Sequence, residues 1–315
     1  MRNEILIHIA SKDRAGEVGL LLTSLLSQTY KNFDVLILDD GSKVPLMSFY
    51  FVTYLINRLK VDGHNVKIIR NDIASGVSAA RQQMVEWTMK NTNCKYICRI
   101  DDDSIADKDL LLKMKEGIDN GYDLMGCIVP FIATDLQKRD IKEVEPIIGE
   151  CWIDDKGELF LNMDDCYLGY SEEKILPTHH FRSSCLYKRE LHEKGVDYNS
   201  RLSKNGFREE QIFSFKAISK GFKLGIHTGA ICWHLQTPSG GERNTMNMGT
   251  FNQGVFEETT KRLFEDYGDF LQDYNSKIGL KRRTFEDIQT KINKFNNLVY
   301  NKKEDKLYGK KENED

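Results

Sequence analysis

Short apolar segments alternate with helical patterns through the first third of the chain, and this alternation leaves few folds open. Segments typical of strands lie at Ile5–Ala10, Phe33–Leu38, Val66–Arg70 and Tyr96–Ile100. After the first of them, apolar residues recur three and four positions apart, which is the spacing of one helix face. Repeated strand and helix units predict a mainly parallel sheet covered by helices, with ligands at the carboxyl ends of its strands.

Further elements are predicted from turn and cap residues. A helix should begin at Gly76, another should run from Lys108 to Asn120, and a third from Glu209 to Lys220. Asp154–Gly157 is typical of a hairpin turn. Beyond residue 255 the pattern predicts amphipathic helices, and the charged segment 301–315 is predicted to be frayed.

Composition excludes several classes of protein. The 315 residues include 45 Lys and Arg and 48 Asp and Glu, so the net charge is −3. A dedicated nucleic-acid binder usually carries a basic surplus, which this chain lacks. Mean hydropathy is −0.50 and 40% of residues are hydrophobic, which is typical of a globular protein with a polar surface.

The seven cysteines form no C-x-x-C pair, which argues against a disulfide framework and a zinc ribbon. Apolar runs are all shorter than the roughly 20 residues that span a bilayer, and the run at Ile5–Ala10 is too short for a signal sequence. We therefore expect a protein without a transmembrane segment in a reducing compartment, the cytoplasm.

Three consecutive carboxylates, Asp101 to Asp103, follow the fourth predicted strand. Adjacent carboxylates repel each other unless a cation compensates them, and oxygen ligands suit Mn²⁺ or Mg²⁺ bridging to a phosphate. The alternative is a solvated acidic turn that caps the next helix through Ser104 or Asp107.

Five other residues carry candidate chemistry. Asp40, at the end of the second strand, is suited to accept hydrogen bonds from a base or ribose, although Asp-Gly also favours a turn. Arg81, in a helix that starts with small residues, is suited to an anionic group. Glu209 and Glu210 open a helix, where a general base or a simple dipole partner is expected. His234 lies among apolar residues, where a histidine is more often buried than a ligand.

In their order, these motifs resemble the nucleotide-sugar glycosyltransferases of the GT-A fold, most closely glycosyltransferase family 2. The resemblance runs from Glu4 to about Gly225. It rests on the segment from Ser27 to Ser42, the small-residue helix start, the three aspartates and the helix that begins at Glu209, where Glu210 replaces the family's usual Asp.

The resemblance implies a fold class of α/β type, Rossmann-like, with a mainly parallel central sheet flanked by helices and a C-terminal helical extension. It implies a glycosyltransferase domain at 1–254, divided into a nucleotide-binding half (1–130) and a donor-sugar and acceptor half (131–254), followed by the extension at 255–315. The extension either packs on the core, dimerises or lies on a membrane surface.

It also implies residue roles. The nucleotide of the donor, expected to be UDP, would contact Ala10, Ser11, Asp13, Asp40, Arg81, Asp101 and Asp102. The cofactor Mn²⁺ or Mg²⁺ would be held by Asp103, Asp101 and His234. Glu210, with Glu209 as the other candidate, would deprotonate an acceptor hydroxyl of a glycan, lipid-linked or protein partner and invert the anomeric carbon.

Two other functions remain open at this point. A sugar-phosphate nucleotidyltransferase shares the core and the metal carboxylates but needs a Gly-rich basic loop after the first strand, where this chain has Ala10-Ser11-Lys12-Asp13-Arg14. A non-catalytic module for binding a nucleotide or sugar would keep the same acids without turnover. A dinucleotide oxidoreductase is disfavoured because no G-x-G-x-x-G follows a strand.

Overall fold

A computed structural model gives the fold of the chain. It describes residues 3–133, 136, 138–144, 146–153, 159–162, 164–198, 202, 204–241 and 253–278, together with 280, 284, 286 and 290. The predicted frayed tail at 301–315 and the turn at Asp154–Gly157 lie outside these residues. The segments on either side of that turn do pair as an antiparallel hairpin.

Thirteen strands are present in the described part of the chain. They are β1 Ile5–Ser11, β2 Phe33–Asp40, β3 Val66–Asn71, β4 Tyr96–Arg99, β5 Ser104–Ala106, β6 Leu124–Ile128, β7 Lys138–Arg139, β8 Cys151–Ile153, β9 Leu159–Leu161, β10 Gly169–Tyr170, β11 Ile175–Pro177, β12 Cys185–Lys188 and β13 Leu224–His234. The four segments predicted to be strands in the first hundred residues all form strands.

Nine of the strands form the central sheet, in the order β11-β13-β6-β12-β4-β1-β2-β3 with β5 paired to β13. The first four strands of the sequence are parallel to one another, and β6 and β13 form a second parallel pair. Between these two parallel groups lies β12, antiparallel to both neighbours. The predicted α/β class with a mainly parallel sheet is confirmed.

Seven α-helices accompany the strands in the described residues. They are α1 Ala15–Leu26, α2 Tyr50–Val61, α3 Val77–Asn91, α4 Leu110–Asp119, α5 Glu190–Glu193, α6 Glu209–Ser219 and α7 Gln253–Lys277. The helices predicted at Gly76, at Lys108–Asn120 and at Glu209–Lys220 correspond to α3, α4 and α6. Gly121 and Gly221 end the last two with positive φ, as expected of a helix terminus.

Two apolar clusters, one on each face of the sheet, form the main core. Strand β2 is buried along its whole length, and its residues alternate between the cluster that includes Val35 and the cluster that includes Leu36. The first cluster joins the sheet to α1, α2 and α4, and the second joins it to α3 and α6. All seven cysteines are buried thiols.

Helix α7 packs on the second half of the domain. Leu271 is fully buried, and the Asn275 amide donates a hydrogen bond to the Cys151 carbonyl oxygen at 2.8 Å. The Tyr267 ring contacts Phe215 of α6. Of the three predicted fates for the extension, packing on the core is therefore the one seen for α7. None of the helices in the described residues has the length and apolar character needed to cross a membrane.

Candidate active site

A cleft of about 350 Å³ lies at the carboxyl ends of β1, β2 and β4. Its lining includes ten of the eleven predicted site residues: Ala10, Ser11, Asp40, Arg81, Asp101, Asp102, Asp103, Glu209, Glu210 and His234. The folded chain thus brings together residues that are more than two hundred positions apart in sequence. Asp13 is not in the lining. Its carboxylate instead accepts a hydrogen bond from the Lys43 N–H at 2.7 Å.

The three consecutive aspartates are not a solvated turn. Asp102 and Asp103 are buried, and the chain passes from them into β5 before α4 begins, so they do not cap that helix. Arg14 donates to Asp102 at 2.9 Å and lies 3.2 Å from Asp103. Burial raises the pKa of Asp102 to about 6 against the opposing charge of Arg14, and the repulsion of Asp103 adds to the rise.

Asp101 lies where several side chains converge. Its carboxylate accepts hydrogen bonds from Arg81 at 2.5 Å and from the Ser183 hydroxyl at 2.7 Å, and Arg99 is 3.8 Å away. Burial alone would raise the pKa of Asp101, but the charge of Arg99 and the Ser183 hydrogen bond hold it below its usual value. Asp101 is therefore a carboxylate that the site keeps ionised.

The two glutamates at the start of α6 have different surroundings. Glu209 is 4% exposed, and its Oε1 contacts both Arg81 and Arg99. Burial raises the pKa of the Glu209 carboxyl well above its ordinary value, although the charge of Arg99 opposes the rise. Glu210 is 20% exposed and has one Arg99 contact, at 3.0 Å. Of the two, Glu210 is therefore the carboxylate more open to a substrate in the cleft.

One group of residues can hold a cation. Ligand atoms of Asp101, Asp103 and His234 all lie within 4.8 Å of one another. Two carboxylates and an imidazole suit Mn²⁺, whereas Mg²⁺ prefers oxygen ligands alone, so the residues present fit the expected group.

The hydrogen bonding of His234 adds a condition to this fit. The Gln236 N–H donates to Nδ1 at 2.8 Å, which places the proton of the neutral ring on Nε2, 3.5 Å from Asp103. His234 can bind a cation through Nε2 only when that proton has moved.

Asp40 lines the cleft, but its carboxylate already accepts several hydrogen bonds from the chain itself. It accepts hydrogen bonds from the Ser75 N–H and hydroxyl, from the Gly76 N–H and from the Asn71 amide, at 2.8 to 3.1 Å. These contacts fix the loop before α3 against the end of β2. The structure thus gives Asp40 a local role in addition to the predicted contact with a nucleobase.

The sequence profile of glycosyl transferase family 2 matches residues 6–196. The chain belongs to glycosyl transferase family 2. No curated protein matches the sequence.

Solved glycosyltransferase structures share the fold. S. aureus TarS 1–349 aligns with a TM-score of 0.52 and 14% identity over 75% of this chain and 61% of that chain. Its complex with UDP-GlcNAc aligns at 0.55 and 12% over 98% and 77%. GalNAc-T7, solved with UDP, GalNAc and Mn²⁺, aligns at 0.55 and 14% over 74% and 44%. At such identities the likeness shows the GT-A fold alone, and the chain spans less than two thirds of two of these structures.

Sequence reasoning assigned no role to Lys12, Arg14 or Arg208 of this glycosyltransferase cleft. Arg14, Arg182, Arg208 and Lys12 line it together with Arg81, so five basic side chains offset six carboxylates there. Arg99 lies behind them, buried in β4. A detectable signal existed for Arg99, because a charged residue inside the apolar segment Tyr96–Ile100 needs a buried partner. Arg208 has a left-handed backbone conformation (φ 68°) just before α6, a feature that only the folded chain shows.

Proposed function

We propose that this glycosyltransferase uses a divalent metal and a nucleoside-diphosphate sugar, with UDP as the nucleotide, and transfers the sugar to an acceptor hydroxyl with inversion. One observation carries the proposal: a carboxylate on α6, Glu210, faces the same cleft as the cation-binding group of Asp101, Asp103 and His234. The complexes of TarS with UDP-GlcNAc and of GalNAc-T7 with UDP and Mn²⁺ support the choice of donor and metal.

The donor would lie along the β1, β2 and β4 ends of the cleft. Ala10 and Ser11 would form the wall beside the base and ribose, with Asp13 at its edge. Asp40 and Asp102 would accept hydrogen bonds from the nucleoside, and Arg81 would lie near its phosphates. Asp101, Asp103 and His234 would hold Mn²⁺, which when bound supplies Lewis-acid stabilisation of the departing diphosphate. The domain limits 1–254 and 255–315 remain part of this proposal.

Glu210 is the proposed general base. It would take the proton of the acceptor hydroxyl, of a glycan, lipid-linked or protein acceptor, while the oxygen attacks the anomeric carbon and the nucleoside diphosphate leaves from the opposite side. Glu209 would instead be a positioning residue, because its contacts with Arg81 and Arg99 hold its carboxylate at the wall of the cleft. Its low exposure supports this division of roles.

The test compares Glu210→Gln with wild type. UDP release from UDP-sugars in the presence of Mn²⁺ should fall by about 10²- to 10⁴-fold, the usual contribution of a general base, while the affinity for UDP stays the same. Glu190→Gln, an exposed change in α5, serves as the control and should have wild-type activity. NMR of the product should show a β linkage from an α-linked donor.

The same assay separates the alternatives. Wild-type protein that binds UDP-sugars without releasing UDP would be a binding module. Formation of a nucleotide sugar from a nucleoside triphosphate and a sugar phosphate would instead indicate a nucleotidyltransferase. An α-linked product would overturn the inverting mechanism without affecting the metal and donor assignments.

A further inference from the structure

Exposed apolar side chains are concentrated in one region of the protein and are not scattered evenly over its surface. Of the eleven large hydrophobic residues that are exposed in the described part of the chain, six lie between residues 44 and 61: Val44, Met47, Tyr50, Phe51, Tyr54 and Val61. We call these six residues the α2 face. Tyr50, Val61 and Tyr54 are 79%, 74% and 67% exposed. Contiguous apolar surface of this kind usually marks an interaction site.

The side chains of the α2 face are not needed to cover the hydrophobic core. Helix α2 already buries an apolar stripe made of Val52, Ile56 and Leu59 on its inner side. The outward tyrosines Tyr50 and Tyr54 lie one turn apart, with ring centroids 6.4 Å apart. Folding therefore does not account for two exposed aromatic rings beside Met47 and Val44.

The segment that carries the α2 face is basic. Residues 43–70 contain five basic residues and one acidic residue, giving a local charge of +4 in a chain whose total is −3. Arg58 pairs with Asp62, the acidic residue, and Arg70 with the buried Asp39. Lys43 and Lys60 are exposed, and neither has a salt bridge to a residue that the structure describes. Lys67 is exposed as well, but it lies on the other face of the sheet, because in β3 it stands beside Leu36 of the second cluster whereas Val66 and Ile68 pack with α2.

We propose that the α2 face, together with Lys43 and Lys60, binds an anionic membrane surface. Tyrosine rings with a polar hydroxyl are favoured at the boundary between headgroups and acyl chains, and lysines beside them are attracted to anionic lipids. Both features occur here on one helix and its flanking segments. The proposal concerns a surface outside the cleft and does not depend on the proposed catalytic roles.

A second copy of this chain is a poorer occupant of the same surface. In a two-fold dimer each residue of the face meets the same face of the partner, so the unpaired lysines of two copies would be opposed. Repulsion between the lysines would act against such a contact, whereas an anionic bilayer complements them.

One end of the α2 face lies close to the cleft. Asp40 at the end of β2 lines the cleft, and the α2 face begins four residues later. The loop between them is fixed to the segment that follows β1 by the hydrogen bonds of Asp13 with Ser42 and Lys43. The end of the face that carries Val44 and Met47 therefore lies beside the cleft, and docking would bring this rim of the cleft to the bilayer.

Vesicle co-sedimentation of the full chain tests the proposal. Wild type should pellet with vesicles of equal parts phosphatidylcholine and phosphatidylglycerol and stay in solution with phosphatidylcholine alone. Two variants should each weaken this binding by at least about tenfold: Tyr50→Ser with Tyr54→Ser, and Lys43→Gln with Lys60→Gln. Added salt should weaken the binding of wild type.

Matched controls remove the same residue types elsewhere. Leu112→Ser with Ile278→Ser removes exposed apolar side chains, and Lys90→Gln with Lys223→Gln removes exposed charges. Both should bind as wild type. Failure of wild type to bind anionic vesicles, or equal weakening by the controls, overturns the proposal. So does a dimer in sedimentation equilibrium that the tyrosine variant dissociates, because the face would then be a contact between copies.

Discussion

Arg99 and Glu210 form a contact between the central sheet and the candidate base. Nη2 of Arg99 in β4 lies 3.0 Å from Oε1 of Glu210 in α6, and the arginine side chain is 3% exposed. The same Nη2 is 3.1 Å from Glu209, and the guanidinium lies over the ring of Phe181. A buried cation thus fixes where the first turn of α6 sits relative to Asp101.

Loss of this cation should destabilise the protein strongly. Arg99→Met leaves buried carboxylates without a major counter-charge, for which we expect a loss of about 3–5 kcal/mol in the free energy of unfolding. Arg58→Met removes an exposed i,i+4 pair and should cost less than about 1 kcal/mol. Urea unfolding measures both. Similar losses of unfolding free energy in the two variants would show that Arg99 is not the main charge that stabilises the buried carboxylates.

Arg99→Lys separates charge from geometry. It keeps the charge but not the fork of donors, so it should recover part of the stability while kcat stays below that of wild type. UDP affinity should not change. A proportional loss of UDP affinity and kcat would indicate a general collapse of the cleft instead of a displaced base.

Asp103→Asn should weaken cation binding. The proposed metal group loses one of its two carboxylates, so we expect the Kd for Mn²⁺, followed by the EPR signal of the free ion, to rise at least about tenfold. Asp119→Asn, at an exposed position in α4, should leave the Kd unchanged. In wild type, Mn²⁺ at about 100 times its Kd should stabilise the fold by about 2.7 kcal/mol. Unchanged binding in Asp103→Asn would remove this residue from the metal site.

His8 should make the fold sensitive to acid. Burial lowers the pKa of His8 to about 3, and its ring contacts the Thr88 hydroxyl at 2.8 Å. The unfolded chain binds a proton near pH 6.5, so the contribution of neutral His8 is complete above that pH and is lost as the pH falls toward 3. His8→Gln should therefore reduce the slope of unfolding free energy against pH, between pH 6 and 4, by up to about 1.4 kcal/mol per unit. Parallel curves for the two proteins would contradict this assignment.

Much of the site could be predicted because its residues follow local rules. Apolar runs identified the strands, and the carboxyl ends of parallel strands meet at one edge, so Asp40 and Asp101 to Asp103 were expected to lie together. Helix α6 was also predicted from the sequence, because Glu209 marks its first turn and Gly221 marks its end. Each of these features depends on a short stretch of sequence.

The parts that escaped prediction depend on long-range contacts. The pairing of β5 with β13 joins residues about 130 positions apart and leaves no local periodicity. Helix α2 was missed because its outer face carries Tyr50, Tyr54 and Val61, which blur the amphipathic pattern. The ion pairs of Arg14 and Arg99 also join distant segments, and only the folded chain shows which carboxylates they meet.

Gly41 should be intolerant of a side chain. Its φ is +73°, and an added Cβ would lie 2.6 Å from the Ala74 nitrogen, in the loop that Asp40 fixes. Gly63 also has a positive φ, +96°, but has open space around it. We expect Gly63→Ala to cost about 1 kcal/mol and Gly41→Ala clearly more, with a loss of UDP affinity in Gly41→Ala alone. Equal costs in thermal unfolding would mean that the loop is free to move away.

Helix α7 should unfold together with the domain. Leu271 is fully buried, so Leu271→Ala should lower the free energy of unfolding by about 2–5 kcal/mol, whereas the exposed Ile278→Ala should cost less than about 1 kcal/mol. Because α7 packs on β8 and α6, far-UV circular dichroism and tryptophan fluorescence should report one transition that shifts as a whole in Leu271→Ala. A separate early transition, with the main one unmoved, would instead make α7 an independent unit that begins near the proposed boundary at residue 254.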